Sequence, residues 1–595
     1  MPPAENYQSR LSTFERDRTR VERRFRLVGN FRVLMLLLGI GIAGVAFGPG
    51  WISAWWLLAP IAVSIPLAIL HDRVEQQRSR AARAVSWYER ALARIAGKWI
   101  GAGNQGERFR DPRHVYADDL DLFGRGSLFE LLSTARTAAG ESTLARWLLA
   151  PGERAEVIAR QQSVAELRER PALREDLALV GEDIRAAVDS DALAHWGSRP
   201  PVRFFRGARA IAFALSVLCV ATLALWLAEL LPLTPFFVVL LFEILYTMAV
   251  RDGVREIVAA MAAPGRDLRL MRALVERLER EPFSSPALDK LRRSFETHRV
   301  PASRAIRKLS GMMERIDSAR LHMFFRITAA PLLWIPQFAM AVEAWRLDYG
   351  AHIGEWVAAI GEFEALGSLA TFAYERPAAV FPDVAEEPDP VIDAVQMHHP
   401  LIAPAVSVPN DVKIGGELRL WIVSGSNMSG KSTLLRAAGL NAVLAWAGAP
   451  VTCARLRVSR LSIGASLRAV DSLADNRSRF YAEIERLRDI VNLARAGKPT
   501  LFLLDELLSG TNSHDRRIGA EALVRGLVER GAIGMVTTHD LALAAIAETL
   551  GPRAINVHFE DHIEGGEIRF DYRLHPGVVT RSNALDLMRA VGLDV

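Results

Sequence analysis

Gly425-Ser-Asn-Met-Ser-Gly-Lys-Ser432 sets two glycines, a lysine and a hydroxyl at the spacing G-x-x-x-x-G-K-[ST]. Glycines at that spacing let successive backbone N–H groups close around phosphate oxygens, and a helix starting behind them adds partial positive charge. In such a loop Lys431 bridges the β- and γ-phosphates of a nucleoside triphosphate, and Ser432 binds Mg2+. A second stretch, Thr500-Leu-Phe-Leu-Leu-Asp505-Glu506, runs an apolar strand into two acids. Asp505 there would hold Mg2+ through water, and Glu506 would orient or deprotonate an attacking water. A third, Ala532-Ile-Gly-Met-Val-Thr-Thr-His539, ends another apolar run in a polar cluster, which suits His539 to sensing a γ-phosphate. Together these residues point to phosphoryl transfer to water.

The elements that must position them follow from the flanking patterns. Arg419 to Ser424 reads as a strand, and the apolar pattern from Thr433 to Trp446 as a helix, which gives the strand, glycine turn and helix of a P-loop. Uninterrupted apolar strands ending in polar residues belong in a parallel sheet buried on both faces. The fold class expected for this region is α/β.

Upstream the pattern changes. Val33 to Phe47 is apolar or glycine, Gly48-Pro-Gly50 turns, and Trp51 to Leu70 carries no charge. About 20 helical residues cross the ~30 Å hydrocarbon layer, so the two runs read as a membrane hairpin. Arginines at 16, 18, 20, 23, 24, 26 and 32 precede it, and others at 73, 78, 80 and 83 follow, which assigns both ends to the cytoplasm. The unbroken second run and the lack of a small-residue cleavage pattern argue against a signal peptide. Ala210 to Leu231 and Phe236 to Val250 repeat the hairpin, with Glu243 inside the last run as a functional candidate or an acid facing a neighbouring helix. Ile327 to Val342 is apolar but broken by Pro331 and Pro336, and reads as a buried or interfacial helix. Four spans are expected, with both termini and the phosphate site on the cytoplasmic side of a bacterial-type inner membrane.

Half of the residues are hydrophobic, and the net charge is +5. That balance permits contact with nucleic acid or anionic lipid without requiring it. Arg266 to Arg280 and Arg292 to Arg315 are Arg-rich, but their mixed acids read as solvated helix faces. Two distant cysteines, Cys219 and Cys453, exclude a disulfide scaffold and a zinc ribbon.

The phosphate-site residues also resemble a family. Gly425-Ser426-Asn427-Met428-Ser429-Gly430-Lys431-Ser432-Thr433 looks like the loop of the MutS mismatch-repair ATPases, with its distinctive Asn-Met. Asn476-Arg-Ser478-Arg-Phe-Tyr-Ala-Glu483 resembles that family's Ser-x-Phe-x-x-Glu signature. Asp505-Glu-Leu-Leu-Ser-Gly-Thr resembles its acidic segment, Thr537-Thr-His539 its Thr-His switch, and Tyr572-Arg-Leu-His-Pro-Gly577 with Ser582 and Leu585 its closing pattern. The resemblance implies binding of ATP and Mg2+ by residues 425–433 and Asp505. It also implies a homodimer sandwiching two nucleotides, in which Ser478 reaches the γ-phosphate held by the other subunit and Asn427 contacts it directly. His398-His399-Pro400 matches a segment near the adenine side. Ser127 to Pro151, Gln161 to Leu167 and Glu364 to Ala373 look like the two arms of the family's helical core. Where a repair MutS carries a mismatch-reading domain, the first 120 residues here hold a basic tail, a hairpin and a helical linker. Phe14-Glu15 and Phe129-Glu130 lack the Phe-x-Glu spacing.

The organisation expected is a basic tail at 1–32, a transmembrane hairpin at 33–70, and a helical linker with the first arm of an all-α core at 71–205. A second hairpin in place of the clamp follows at 206–252, the second arm at 253–390, and an α/β P-loop, ABC-like ATPase domain at 391–595. Two functions fit. One is a membrane-anchored ATPase that moves its helical core for an unidentified membrane or repair partner. The other is a mismatch-repair or recombination factor binding duplex DNA at the lipid bilayer. An ABC transporter fits less well, because only four spans are visible and no Leu-Ser-Gly-Gly-Gln precedes Asp505.

Overall fold

A computed structural model describes residues 2–179, 190–321, 329–386, 389–467, 479–508, 511–539, 544–564 and 567–579. Its helices of three turns or more are α1 (Pro3–Phe47), α2 (Leu58–Ile95), α3 (Ala138–Leu149), α4 (Arg154–Arg168), α5 (Ala208–Leu227), α6 (Thr234–Glu279), α7 (Ala302–Leu321), α8 (Trp334–Tyr349), α9 (Ile353–Glu375), α10 (Lys431–Ala447), α11 (Arg479–Arg495) and α12 (Ser513–Glu529). The strands that follow α9 are β1 (Asp383–Val384), β2 (Val391–Met397), β3 (Asn410–Gly415), β4 (Leu420–Ser424), β5 (Arg455–Val458), β6 (Ser462–Ser466), β7 (Thr500–Leu504), β8 (Ile533–Thr538), β9 (Ala554–Glu564) and β10 (Glu567–Pro576). The chain divides into two compact units, one of residues 1–133, 145–179 and 368–595, the other of 134–144 and 180–367.

The first unit holds a six-stranded sheet in the order β10-β9-β4-β8-β7-β6. Five strands are parallel, and β10 closes the edge antiparallel to β9. Every residue of β4, β7 and β8 is buried, as their unbroken apolar runs require of strands covered on both faces. On one face Leu420, Ile422, Phe502 and Leu504 pack with Leu487 and Ile490 of α11 and Val524 and Leu527 of α12. A smaller sheet, β1-β5-β2-β3, lies beside it in sequence. Residues 97–127 contain six glycines, and their one helical element is the 3-10 turn Glu107–Phe109. They dock on the large sheet: Ala465 N–H donates to the Val115 carbonyl at 2.9 Å and Leu467 N–H to the Asp119 carboxylate at 2.8 Å. Leu120 fills the space that a side chain on Gly439 of α10 would need, 2.7 Å from where its Cβ would stand.

Also in this unit, α1 and α2 are long and apolar enough to cross a membrane. Trp51, Trp55 and Trp56 sit exposed at their turn, where amphipathic rings favour an interface. At the opposite end Tyr7 and Leu11 are buried against Ala84, Trp87, Tyr88 and Ala91. The Tyr7 ring lies 5.5 Å from that of Tyr374, one residue from the end of α9. Arg94 grips Glu375 through two hydrogen bonds of 2.8 and 2.6 Å, and Asn6 donates to the Tyr374 hydroxyl at 2.6 Å. Burial beside Glu375 holds the Tyr7 phenol well above its ordinary pKa, so it stays a donor.

In the second unit α5 and α6 are the other two helices, among the described residues, with the length and apolarity to cross a membrane. Glu243 of α6 is buried and faces the neighbouring helix, where it meets Cys219 of α5. The Tyr246 hydroxyl donates to the Ala208 carbonyl at 2.9 Å, and Gln337 of α8 donates to Ser216 of α5 at 3.1 Å. Of the apolar zone 327–342, the first two residues lie outside those described. Leu333 adopts a left-handed φ of 44° and α8 begins behind it, with Pro336 in the first turn, where a missing N–H costs nothing. Arg346 and Glu343 form a buried pair at 2.7 Å, and Arg346 also donates to the Arg199 carbonyl at 2.6 Å. The two stretches expected to open and close a helical core meet: Glu364 of α9 accepts the N–H groups of Arg136 and Thr137, both at 3.0 Å.

Arg94→Met tests the anchor of α1. It leaves the Glu375 carboxylate buried without its cation, a loss on the order of 3 kcal/mol for breaking a buried pair. Hydrogen exchange at residues 3–14 should accelerate, and unchanged protection there would contradict this account of the anchor.

Candidate functional site

The parallel strands end level with one another. Thr538 of β8 pairs with Ser424 of β4, and Val536 of β8 with Leu504 of β7. The loop after β4, the acids after β7 and the histidine after β8 therefore emerge together at the carboxyl edge of the sheet, where ligands bind in open α/β sheets.

The loop 425–430 is wound by three residues at positive φ: Gly425 at 147°, Met428 at 68° and Gly430 at 109°. Methionine tolerates the left-handed region poorly, so its presence marks a local constraint. A side chain on Gly425 would stand 2.8 Å from Ser429 Oγ and 3.1 Å from the Phe559 carbonyl oxygen, which leaves room only for glycine. Gly430 is the N-cap of α10. Lys431 is 4% exposed, and its ammonium donates to the carbonyls of Gly425 and Ser426, both at 2.8 Å. Burial lowers its pKa below the usual lysine range, against the pull of the Glu506 and Asp505 carboxylates. Ser426 Oγ and Ser429 Oγ are buried without a hydrogen-bond partner among the described residues. Asn427 and Met428 stand exposed on the crest, Met428 at 84%. Ser432 and Thr433 follow in the first turn of α10.

Asp505 is placed by its own N–H, which donates to the Ser466 carbonyl at 2.9 Å. Thr537 braces both acids: its hydroxyl donates to the Asp505 carboxylate and accepts the Glu506 N–H at 3.1 Å. Glu506 and Leu508 adopt left-handed φ values of 46° and 54°. The His539 ring stands 3.6 Å from the Glu506 carboxylate. Leu508 N–H donates to Glu483 of α11 at 2.7 Å, so the last residue of the Ser-x-Phe-x-x-Glu stretch holds the loop behind the acids. Ser478 lies outside the described residues, immediately before α11, as do Ser582 and Leu585.

Lys431, Asp505, Glu506 and His539 are thus brought to one edge. Thr537, named from sequence only as part of the Thr-His stretch, acts as a brace, a role that stretch did not reveal. Phe559 and Tyr572 were also missed as neighbours of the loop. The Tyr572 ring comes within 3.4 Å of where a Gly430 Cβ would be, and Asn410 holds the Tyr572 carbonyl at 3.0 Å. Their place depends on the pairing of β9 with β4 and β10, which no local pattern announces. The His398 carbonyl accepts from Asn441 of α10 at 3.0 Å, and His399 Nδ1 accepts the Leu401 N–H at 3.2 Å.

Comparison with known proteins points to the same region of the chain. The sequence profile of MutS domain V matches residues 421–594. The chain is 32% identical over 241 residues to the DNA mismatch repair protein MSH3 of Phaeosphaeria nodorum, covering 39% of this chain and 21% of that protein. It is 34% identical over 208 residues to the DNA mismatch repair protein MutS of Oleidesulfovibrio alaskensis, covering 34% and 22%. It is 34% identical over 201 residues to the Endonuclease MutS2 of Thermomicrobium roseum, covering 33% and 24%. The matches span between a fifth and a quarter of those relatives' length. The carboxyl-edge site and the profile define a MutS-type domain V. It is this region, residues 421–594, that is similar to the MutS family.

His399 provides a pH test of this region. Burial, reinforced by Arg436 and Arg376, pushes its pKa down to about 4. The unfolded chain takes up this proton near pH 6.5 and the folded one only near 4, so stability is present above 6.5 and drains as pH falls through that window. The shift corresponds to about 3 kcal/mol. Thermal unfolding of His399→Gln between pH 4 and 7 should lose part of that slope, and a slope equal to wild type would refute the assignment.

Proposed function

We propose that the protein is a membrane-anchored ATPase that binds and hydrolyses ATP between two copies of domain V, and couples closure to movement of its helical segments. The observation that carries this reading is the convergence of Lys431, Asp505, Glu506 and His539 at one edge of a parallel sheet, beside a glycine-wound loop. The unpartnered hydroxyls of Ser426 and Ser429 and the buried Lys431 ammonium fit an anionic phosphate chain. Ser432 and Asp505 are the residues that would hold Mg2+, which supplies Lewis-acid stabilisation of phosphate charge when bound. Lys431 neutralises phosphate charge. Glu506, fixed through its backbone by Thr537, takes the proton of the attacking water, and His539 beside it senses the γ-phosphate. Ser478 acts across the dimer.

Membrane anchoring rests on four helices with the required length and composition and on the arginines flanking their apolar runs. It assigns both termini and domain V to the cytoplasmic face of an inner or cell membrane. Coupling has a covalent route, because α3 and α9 each run through a boundary between the two compact units. A second reading, a repair or recombination factor on duplex DNA, is favoured by the relatives named as DNA mismatch repair proteins.

Lys431→Ala should abolish nucleotide binding. Glu506→Gln should retain ATP and turn over at least about 100-fold more slowly, the lower end of the loss when a general base is removed. Steady-state hydrolysis near wild type by Glu506→Gln would sink the assignment. If Ser478 works in trans, mixed Ser478→Ala and Lys431→Ala subunits should keep one competent site per dimer, and a fully inactive mixture would argue against it. ATPase rates of the full chain in nanodiscs, with matched or mismatched duplex at two salt concentrations, separate the two readings. Salt-sensitive modulation by duplex favours DNA, and indifference favours a membrane or protein partner.

A further inference from the structure

The second compact unit contains a cavity of about 470 Å³ at the foot of its apolar hairpin, a size suited to a small-molecule site. One wall is a single stripe of α6: Thr247, Val250, Val254 and Val258, with Arg251 and Arg255 on the same side. The other is made by Ala319 and Arg320 at the end of α7 and by Ala329, Ala330 and Leu333 to Pro336, where α8 begins. The lining is aliphatic and aromatic apart from Thr247 and three arginines, and no carboxylate is among the described lining residues. Arg251, Arg255 and Arg320 are exposed, and no ion pair or side-chain hydrogen bond engages them among the described residues. Other arginines nearby are engaged, as Arg269 is with Glu314 and Arg307 with Glu276. Three arginines along the wall of an apolar cavity suit an anion that carries an apolar body.

The height of the cavity identifies the body. Arg251 is the first charge after the run Phe236 to Val250. Thr247 to Ala259 covers about 18 Å of helix, from inside the apolar layer to beyond its edge. Gln337, one residue past the cavity lining, reaches Ser216, eight residues into α5, so the α8 side also enters the apolar layer. We propose that this cavity binds an anionic phospholipid of the cytoplasmic leaflet, its phosphate held by Arg251, Arg255 and Arg320 and its acyl chain against Val250, Val254 and Leu333. Basic pockets between membrane helices at the cytoplasmic edge hold such headgroups. The inference rests on the membrane reading of the apolar helices.

The test uses full-length protein, first extracted with carbonate to establish that it is integral to the membrane, then doped in detergent with phosphatidylglycerol or phosphatidylcholine and weighed intact by native mass spectrometry. Wild type should retain phosphatidylglycerol in preference, by about fivefold for each arginine that contacts the phosphate. Arg251→Gln/Arg255→Gln/Arg320→Gln should remain integral and lose that preference, whereas Arg23→Gln/Arg24→Gln, on the exposed face of α1, should keep it. Equal retention by the triple variant, or loss of the preference in the α1 variant, would overturn the site. Displacement of the lipid by excess inorganic phosphate would overturn the choice of a lipid. Release of wild type by carbonate would remove the membrane reading itself, and this inference with it.

Discussion

Desolvating an ammonium costs several kcal/mol unless other polar groups replace its water, and Lys431 is almost wholly buried. The loop meets that requirement with its own backbone, turning the carbonyls of Gly425 and Ser426 inward onto Nζ. Much else follows from the turn. Gly425, Met428 and Gly430 occupy left-handed or otherwise unusual backbone because the chain winds around the side chain of the helix it is about to enter. Helix α10 must then start within reach of the strand end and pack closely, which its alanines and Gly439 permit. With β4 and α10 so placed, β7 and β8 deliver Asp505 and His539 simply by ending at the same height.

What could be read from sequence divides along the same line. Gly425 to Ser432, Asp505, Glu506 and His539 announce themselves because each motif is local: an apolar run, then a polar terminus whose chemistry depends on its immediate neighbours. The four apolar helices are legible for the same reason, since length and lack of charge are properties of one segment. Thr537 was harder, because a threonine at a strand end is common and its role as a brace exists only once β7 and β8 are adjacent. Phe559 and Tyr572 depend on strand pairing across more than a hundred residues. The docking of 97–127 on α10 and β6 had no periodic signal at all, being a glycine-rich run held by isolated backbone bonds and one leucine. Glu483 was legible only as part of a signature. Its hydrogen bond to Leu508 gives the physical reason for an acid there.

The arginines divide into two populations that composition alone merges. Some are structural: Arg94 holds Glu375, Arg346 gathers carbonyls ahead of α5, and Arg486 takes the Pro112 carbonyl at 2.8 Å. Others, at 251, 255 and 320, are left facing a cavity. A modest net charge therefore says little about partners, because much of the positive charge is already committed inside the fold.

The anchoring of α1 has a mechanical consequence. From Tyr7 to Phe47 the helix is unbroken, a rod of about 60 Å. Its foot is clasped by aromatic rings and by the end of α9, the segment that leads into the sheet. α2 runs back beside it, with Arg78 bound to Glu22 at 2.7 Å and Pro60 next to Gly39, so the pair tilts as one lever: each degree at the clasp sweeps the far end sideways by about 1 Å. A tilt of the helix pair too small to disturb the packing around Tyr7 would reach Phe47 magnified.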